Sequence, residues 1–231
     1  MKAFQVITFL ILAAIAIVAA LMTRPRGDHP ASEGVEGLPW QIEAMADGTS
    51  RVFGLELGRS TLEDARQRFG DDINVGVVAA PGEQGTLEAY FDNVTAGVIT
   101  GRMILATTLA SADVVGMRQR AIRRTLMNDA TYRYDLNPQD LARALRTPIE
   151  TITFIPAANI DAATVLARFG TPGERLQTQD HLEHFLYPHK GLDLIIDAKG
   201  KDVLQYVAPR DFARLREPLH QPPERTGSGT D

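Results

Sequence analysis

The chain has 231 residues, 44% of them hydrophobic and 23% charged, and a formal net charge of −5. That length allows one or two domains and that apolar share can bury a core, so overall disorder is excluded, while the acidic balance argues against a dedicated nucleic-acid binder. The absence of cysteine excludes disulfides, zinc–thiolate sites and a thiol nucleophile.

From Phe4 to Met22 only Gln5 and Thr8 are polar. As a helix this run covers roughly 28 Å, close to a bilayer core. We read residues 1–22 as an N-terminal transmembrane anchor, with a signal sequence cleaved near Val18-Ala19-Ala20 as the alternative. Charge sets orientation weakly, with Lys2 on one side and Arg24 and Arg26 on the other. Residues 23–39 are rich in Pro, Gly and charge and read as a linker, with order expected from Trp40.

Runs 40–45 and 51–57 flank Ala46-Asp47-Gly48, a hairpin signal. Ser60-Thr61-Leu62-Glu63 has the form of a capping box, and Leu62, Ala65 and Phe69 follow at helical spacing before Gly70. Strand-like runs 73–78, 86–91 and 98–107 come next, with loops expected at Pro81-Gly82 and Asp92-Asn93. Ser111 reads as the cap of a helix within 110–134 whose Val115, Ile122 and Leu126 share a face. Arg118, Arg120, Arg123 and Arg124 would form its basic side, suited to lipid phosphates or an acidic partner, or simply solvated. Asn137-Pro138 caps a second helix that ends at Thr147-Pro148. Residues 149–155 are β-prone.

Asp161 is a good N-cap for a helix whose Ala162, Val165, Leu166 and Phe169 share one face, and Gly170-Thr171-Pro172 stops it. Three β-prone runs follow, 181–187, 192–197 and 203–207, separated by Pro188-His189-Lys190-Gly191 and Lys199-Gly200-Lys201. Arg68-Phe69-Gly70 recurs as Arg168-Phe169-Gly170, so the order of capped helix, Gly stop and three strands occurs twice. Residues 209–219 read as a closing helix capped by Asp211, and 220–231 as a disordered tail.

The run 161–172, with Phe185-Leu-Tyr-Pro-His-Lys-Gly-Leu-Asp-Leu-Ile-Ile-Asp-Ala-Lys-Gly200, resembles the SmpA/OmlA family of small envelope lipoproteins, the BamE-like group. The resemblance covers about fifty residues. It implies an α+β fold of BLIP-like type, with helices on one face of a small antiparallel sheet. The expected organisation is two such α-β-β-β modules, 40–146 with a helical insertion and 147–219, behind the transmembrane helix. It also implies non-enzymatic work, the binding of other envelope proteins, with no catalytic residues and no cofactor. The chain lacks the lipid-attachment cysteine of that family. The expected location is therefore the bacterial inner membrane, single-pass, with the body in the periplasm.

Candidate chemistry is sparse. His181, His184 and His189, with Asp180 and Glu183, have metal-ligand types, but residues three apart on a strand face opposite ways, so no metal site is expected. No Gly-x-Ser-x-Gly elbow occurs, and Gly82-Glu83-Gln84-Gly85 lacks the Lys-Ser/Thr of a phosphate loop. The alternative to a partner-binding scaffold is a cell-envelope hydrolase whose site is assembled from distant residues. Strand alternation places Phe185, Tyr187, Ile195, Leu204 and Tyr206 on a second, partly apolar sheet face, the candidate partner-binding surface. The first module, or the segment 110–146, folding over that face is the competing expectation.

Overall fold

The computed structural model describes residues 35–127 and 130–220. The anchor at 1–22, linker residues 23–34 and tail residues 221–231 lie outside the described residues. Among the described residues, no helix is long and apolar enough to cross a membrane.

Helices start where side chains offer acceptors to the free N–H groups of a first turn. Helix α1 (Leu62–Phe69) is capped by Thr61, whose hydroxyl accepts from Asp64 N while the Asp64 carboxylate accepts from Thr61 N at 2.7 Å. The capping box is thus Thr61 with Asp64, one residue on from the expected Ser60 with Glu63. Asn137 caps α3 (Pro138–Leu145) through Asp140 N, and Asp161 caps α4 (Ala162–Phe169) through Thr164 N at 2.8 Å. Two expected caps are not used. Helix α2 (Ser111–Gln119) begins after Ala110, and α5 (Ala213–Leu219) begins after Phe212 behind a short 3₁₀ turn, neither with a side-chain cap.

The strands are β1 (Glu43–Ala44), β2 (Ser50–Val52), β3 (Leu55–Glu56), β4 (Asn74–Ala79), β5 (Thr86–Ala96), β6 (Ile99–Thr107), β7 (Arg123–Leu126), β8 (Tyr132–Asp135), β9 (Ile149–Pro156), β10 (Glu174–Gln179), β11 (Leu182–Tyr187), β12 (Leu192–Asp197) and β13 (Val203–Val207). The protein is α+β and mostly β. Strands β1–β3 form a small sheet, and the others form one antiparallel ten-stranded sheet in the order β10-β11-β12-β13-β9-β6-β5-β4-β8-β7. Where separate small sheets were expected, β9 joins the two halves by pairing β6 on one side and β13 on the other.

Three other expectations change. The expected long helix stops at Gln119, and Arg123 and Arg124 stand on β7, because β8 supplies Ile122 to Met127 with a pairing strand. Asp92-Asn93 is a bulge inside β5. The unit after α4 has four strands, since polar Glu174–Gln179 pairs with β11 as an edge.

One face of the large sheet holds the main core. Phe185, Tyr187, Leu192, Leu194, Leu204, Tyr206, Ile152, Phe154 and Met103 pack there against α1, α4 and the β2–β3 segment. Phe53 is the single described non-glycine residue at positive φ (56°), and its ring meets Phe154 and Tyr206 at centroid distances of 5.3 Å. The linker contributes too: Pro39 is buried, and its carbonyl accepts from the Tyr206 hydroxyl at 3.0 Å. Helices α2 and α3 extend the same layer over Val77 and Leu87. On α4, Val165 and Phe169 are buried but Leu166 is exposed. The opposite face carries α5, whose Leu215 joins Phe212, Val207 and Leu186.

Candidate functional site

Cross-strand register decides which side chains meet on the opposite face. Phe185 pairs with Leu194, Leu194 with Leu204, and Leu192 with both Tyr187 and Tyr206. Four of the five expected partner-binding residues, Phe185, Tyr187, Leu204 and Tyr206, therefore share the main core, and Ile195 lies on the other side with Ile104, Ile155 and Val203. All five are buried, at 0%, 0%, 0%, 1% and 4% exposure for Phe185, Tyr187, Leu204, Tyr206 and Ile195. They form no single surface, so the expected docking face is corrected: these residues are internal. The physical reason is that Leu194 pairs with both Phe185 and Leu204, which puts β11 and β13 one residue out of the expected phase, in line with the inward row of β12.

The opposite face instead holds a strip of polar side chains. Asp193 on β12 pairs with Gln205 on β13, and Gln205 with Thr153 on β9. His184 on β11 lies diagonally beside Asp193, two residues from its direct partner Ile195. All four are buried, His184 to 3% and Asp193 to 1% exposure. Burial of such groups is costly without hydrogen bonds, and most of the strip is satisfied. His184 Nδ1 sits 2.9 Å from Asp193 Oδ2, and His184 Nε2 sits 3.1 Å from Thr178 Oγ1. Burial pushes the Asp193 carboxyl up and the His184 bond opposes that.

Thr178 reaches His184 because β10 is irregular. Gln177 pairs with Glu183 and Gln179 with Leu182, so Thr178 is an extra residue without a partner in the register. A bulge of this kind re-aims a side chain. Beside this chain of groups lies a cavity of about 150 Å³, with Thr178, Gln179, His184 and Gln205 and the charged Asp197 and Lys201 on its polar side and Leu182, Ile195, Val203 and Leu219 on its apolar side. The buried Gln205 Oε1 has no hydrogen-bond partner. The Glu88 carboxyl is likewise buried with an unpartnered Oε1, and desolvation raises its pKa to about 8.

The other two histidines of the expected group, His181 and His189, do not converge on this point. His181 Nε2 is 3.9 Å from Asp197 Oδ1, His189 lies in the Pro188–Lys190 turn, and Glu183 pairs with Arg175. The expected basic side is also divided. Arg120 binds Asp140, Arg118 donates to Glu83 O, and Arg123 binds Asp135 at 2.5 Å.

A second notable surface is the far edge of the sheet. All four residues of β7 are exposed, and among the described residues β8 is its one partner strand. Ile122 and Leu126, at its ends, are 69% and 55% exposed. Met127 N–H donates inward to Thr131 O, so alternation along the antiparallel pair turns the N–H groups of Arg124 and Leu126 outward. Arg124 lies 4.0 Å over the Tyr132 ring.

No protein-family model, curated protein or solved structure matches the chain.

Proposed function

We propose that the chain is a single-pass protein of the bacterial inner membrane, anchored through residues 4–22, whose periplasmic body binds a protein partner and holds it as a scaffold. The observation that carries the binding reading is the β7 edge, which no other described strand covers, with outward N–H groups at Arg124 and Leu126 between exposed Ile122 and Leu126 side chains. Proteins normally blunt or cover such an edge, because it templates pairing with another strand. Strand addition uses those groups for affinity and alternate side chains for specificity. Strands β7 and β8 carry Arg123, Arg124 and Arg133 against Asp135. The occupant that fits is an extended, acidic segment of an envelope protein.

We further infer that 40–146 and 147–219 are two related modules of the BLIP-like, BamE-like kind. The support is a shared local design. Helices α1 and α4 both start at a side-chain cap, end in Arg-Phe, and stop at a glycine of positive φ and extended ψ, 104° and 172° at Gly70, 83° and −168° at Gly170. Antiparallel strands follow each.

The binding reading is tested by photocrosslinking in cells from a probe at position 122 of the full chain. A discrete adduct is expected, lost in Leu126→Pro, since proline removes an outward N–H while edge strands tolerate it. An adduct unaffected by that change contradicts strand addition.

A further inference from the structure

We propose that Thr178, His184 and Asp193, at the edge of the sheet away from β7, form an acyl-transfer site that hydrolyses short-chain esters in the cavity beside them. The proposal goes beyond partner binding and does not rest on it. Three observations carry it. The first is the ordered chain of contacts: His184 Nδ1 lies 2.9 Å from Asp193 Oδ2 and Nε2 lies 3.1 Å from Thr178 Oγ1, so that in the tautomer with the proton on Nδ1, donated to the Asp193 carboxylate, Nε2 is the acceptor for the Thr178 hydroxyl. A hydroxyl, an imidazole and a buried carboxylate in that order constitute the nucleophile, base and orienting group of acyl transfer, whatever the fold and chain order.

The second is the bulge. A regular β10 would keep its register through 178; the extra residue instead puts the hydroxyl of Thr178, an exposed residue, against a buried imidazole. The third is the cavity, whose Gln205 Oε1 is buried and unpartnered, a group that a ligand donor or a water would satisfy. At about 150 Å³, with Leu182, Ile195, Val203 and Leu219 as apolar walls, it takes a short aliphatic acyl chain. Gln179 lines the same cavity, and its side-chain amide is a donor suited to the developing oxyanion.

The step balances with water as the one co-reactant. Thr178 Oγ1 bonds to the ester carbonyl carbon while its proton passes to His184 Nε2. The carbonyl–alkoxy bond breaks and the leaving alcohol takes that proton. Water then gives a proton to Nε2 and bonds to the acyl carbon, the acyl–threonine bond breaks, and Thr178 regains its proton as the carboxylic acid leaves. Asp193 holds the imidazole in the required tautomer throughout.

The test uses the purified full chain with p-nitrophenyl butyrate, reading nitrophenol release and the mass of trapped intermediate. Expected is turnover that falls at least tenfold in Thr178→Val, persists in Thr178→Ser, and leaves a butyryl group mapped to residue 178. Thr178 is exposed, so Thr178→Val is readable without loss of folding. Asp193→Asn should lower the rate while still giving the adduct. Release equal in wild type and Thr178→Val, or acylation only at other residues, overturns the proposal.

Discussion

Tyr206→Ala should cost the fold about 4–7 kcal/mol. The ring is 1% exposed and packs edge-on against Phe53 at 5.3 Å in the main core. Removing a buried aromatic ring costs about 3–5 kcal/mol through lost transfer energy and a cavity that neighbours only partly fill. The lost hydroxyl adds to this, since it donates to the carbonyl of buried Pro39 at 3.0 Å, and an orphaned buried acceptor costs about 1–3 kcal/mol. Tyr206→Phe isolates the second part and should cost about 1–2 kcal/mol while the packing stays. Urea unfolding of purified protein reads both, provided the slope with denaturant is unchanged, which shows that the same surface is exposed. A Tyr206→Ala loss under about 1 kcal/mol would refute the internal placement of this residue and restore an exposed face. A Tyr206→Phe loss equal to that of the alanine variant would instead mean that the ring contributes little.

Two further outcomes follow from single residues. Glu88 has a folded pKa near 8 against an ordinary value of 4.5, so the folded state binds more protons, and stability should fall by about 1.4 kcal/mol per pH unit as pH rises from 4.5 to 8. Glu88→Gln should remove most of that slope in unfolding measured across the range, and an unchanged slope would place its origin elsewhere. Gly170 has open space around it but a φ of 83° and ψ of −168°, a region nearly reserved for glycine, so Gly170→Ala should cost about 1–3 kcal/mol from backbone strain alone. Equal melting temperatures for the two proteins would show that the helix end relaxes freely.

Much of the fold was legible where one segment carries the whole signal. Asp161 and Asn137 cap because a short acceptor lies before a helical run, and Gly170 stops α4 because the backbone needs positive φ there. β12 and β13 are apolar enough to announce themselves. β10 and β7 are not: ERLQTQ and RRTL are edge strands, β7 exposed throughout and β10 with only Leu176 as an apolar anchor, and an edge needs neither strict alternation nor a hydrophobic face. Val115, Ile122 and Leu126 are spaced for a helix through the basic run, yet pairing to β8 outweighs that spacing.

The candidate sites were less legible because both depend on register. His184 was visible only as part of a local histidine group, whose members face different partners. Its link to Asp193 requires β11 and β12 to pair with Phe185 opposite Leu194, and its link to Thr178 requires a bulge that no residue type announces. The same register moved Phe185, Tyr187, Leu204 and Tyr206 into the core, where face assignment from strand alternation alone had put them on a surface.

Hydrogen exchange at the β7 amides tests the partner-binding account most directly. The outward N–H groups of Arg124 and Leu126 should exchange rapidly in the isolated protein. In the complex isolated from membranes they should become protected, with little change at the inward amides of Arg123 and Thr125. Protection that leaves Arg124 and Leu126 untouched while appearing on another surface of the body would contradict it.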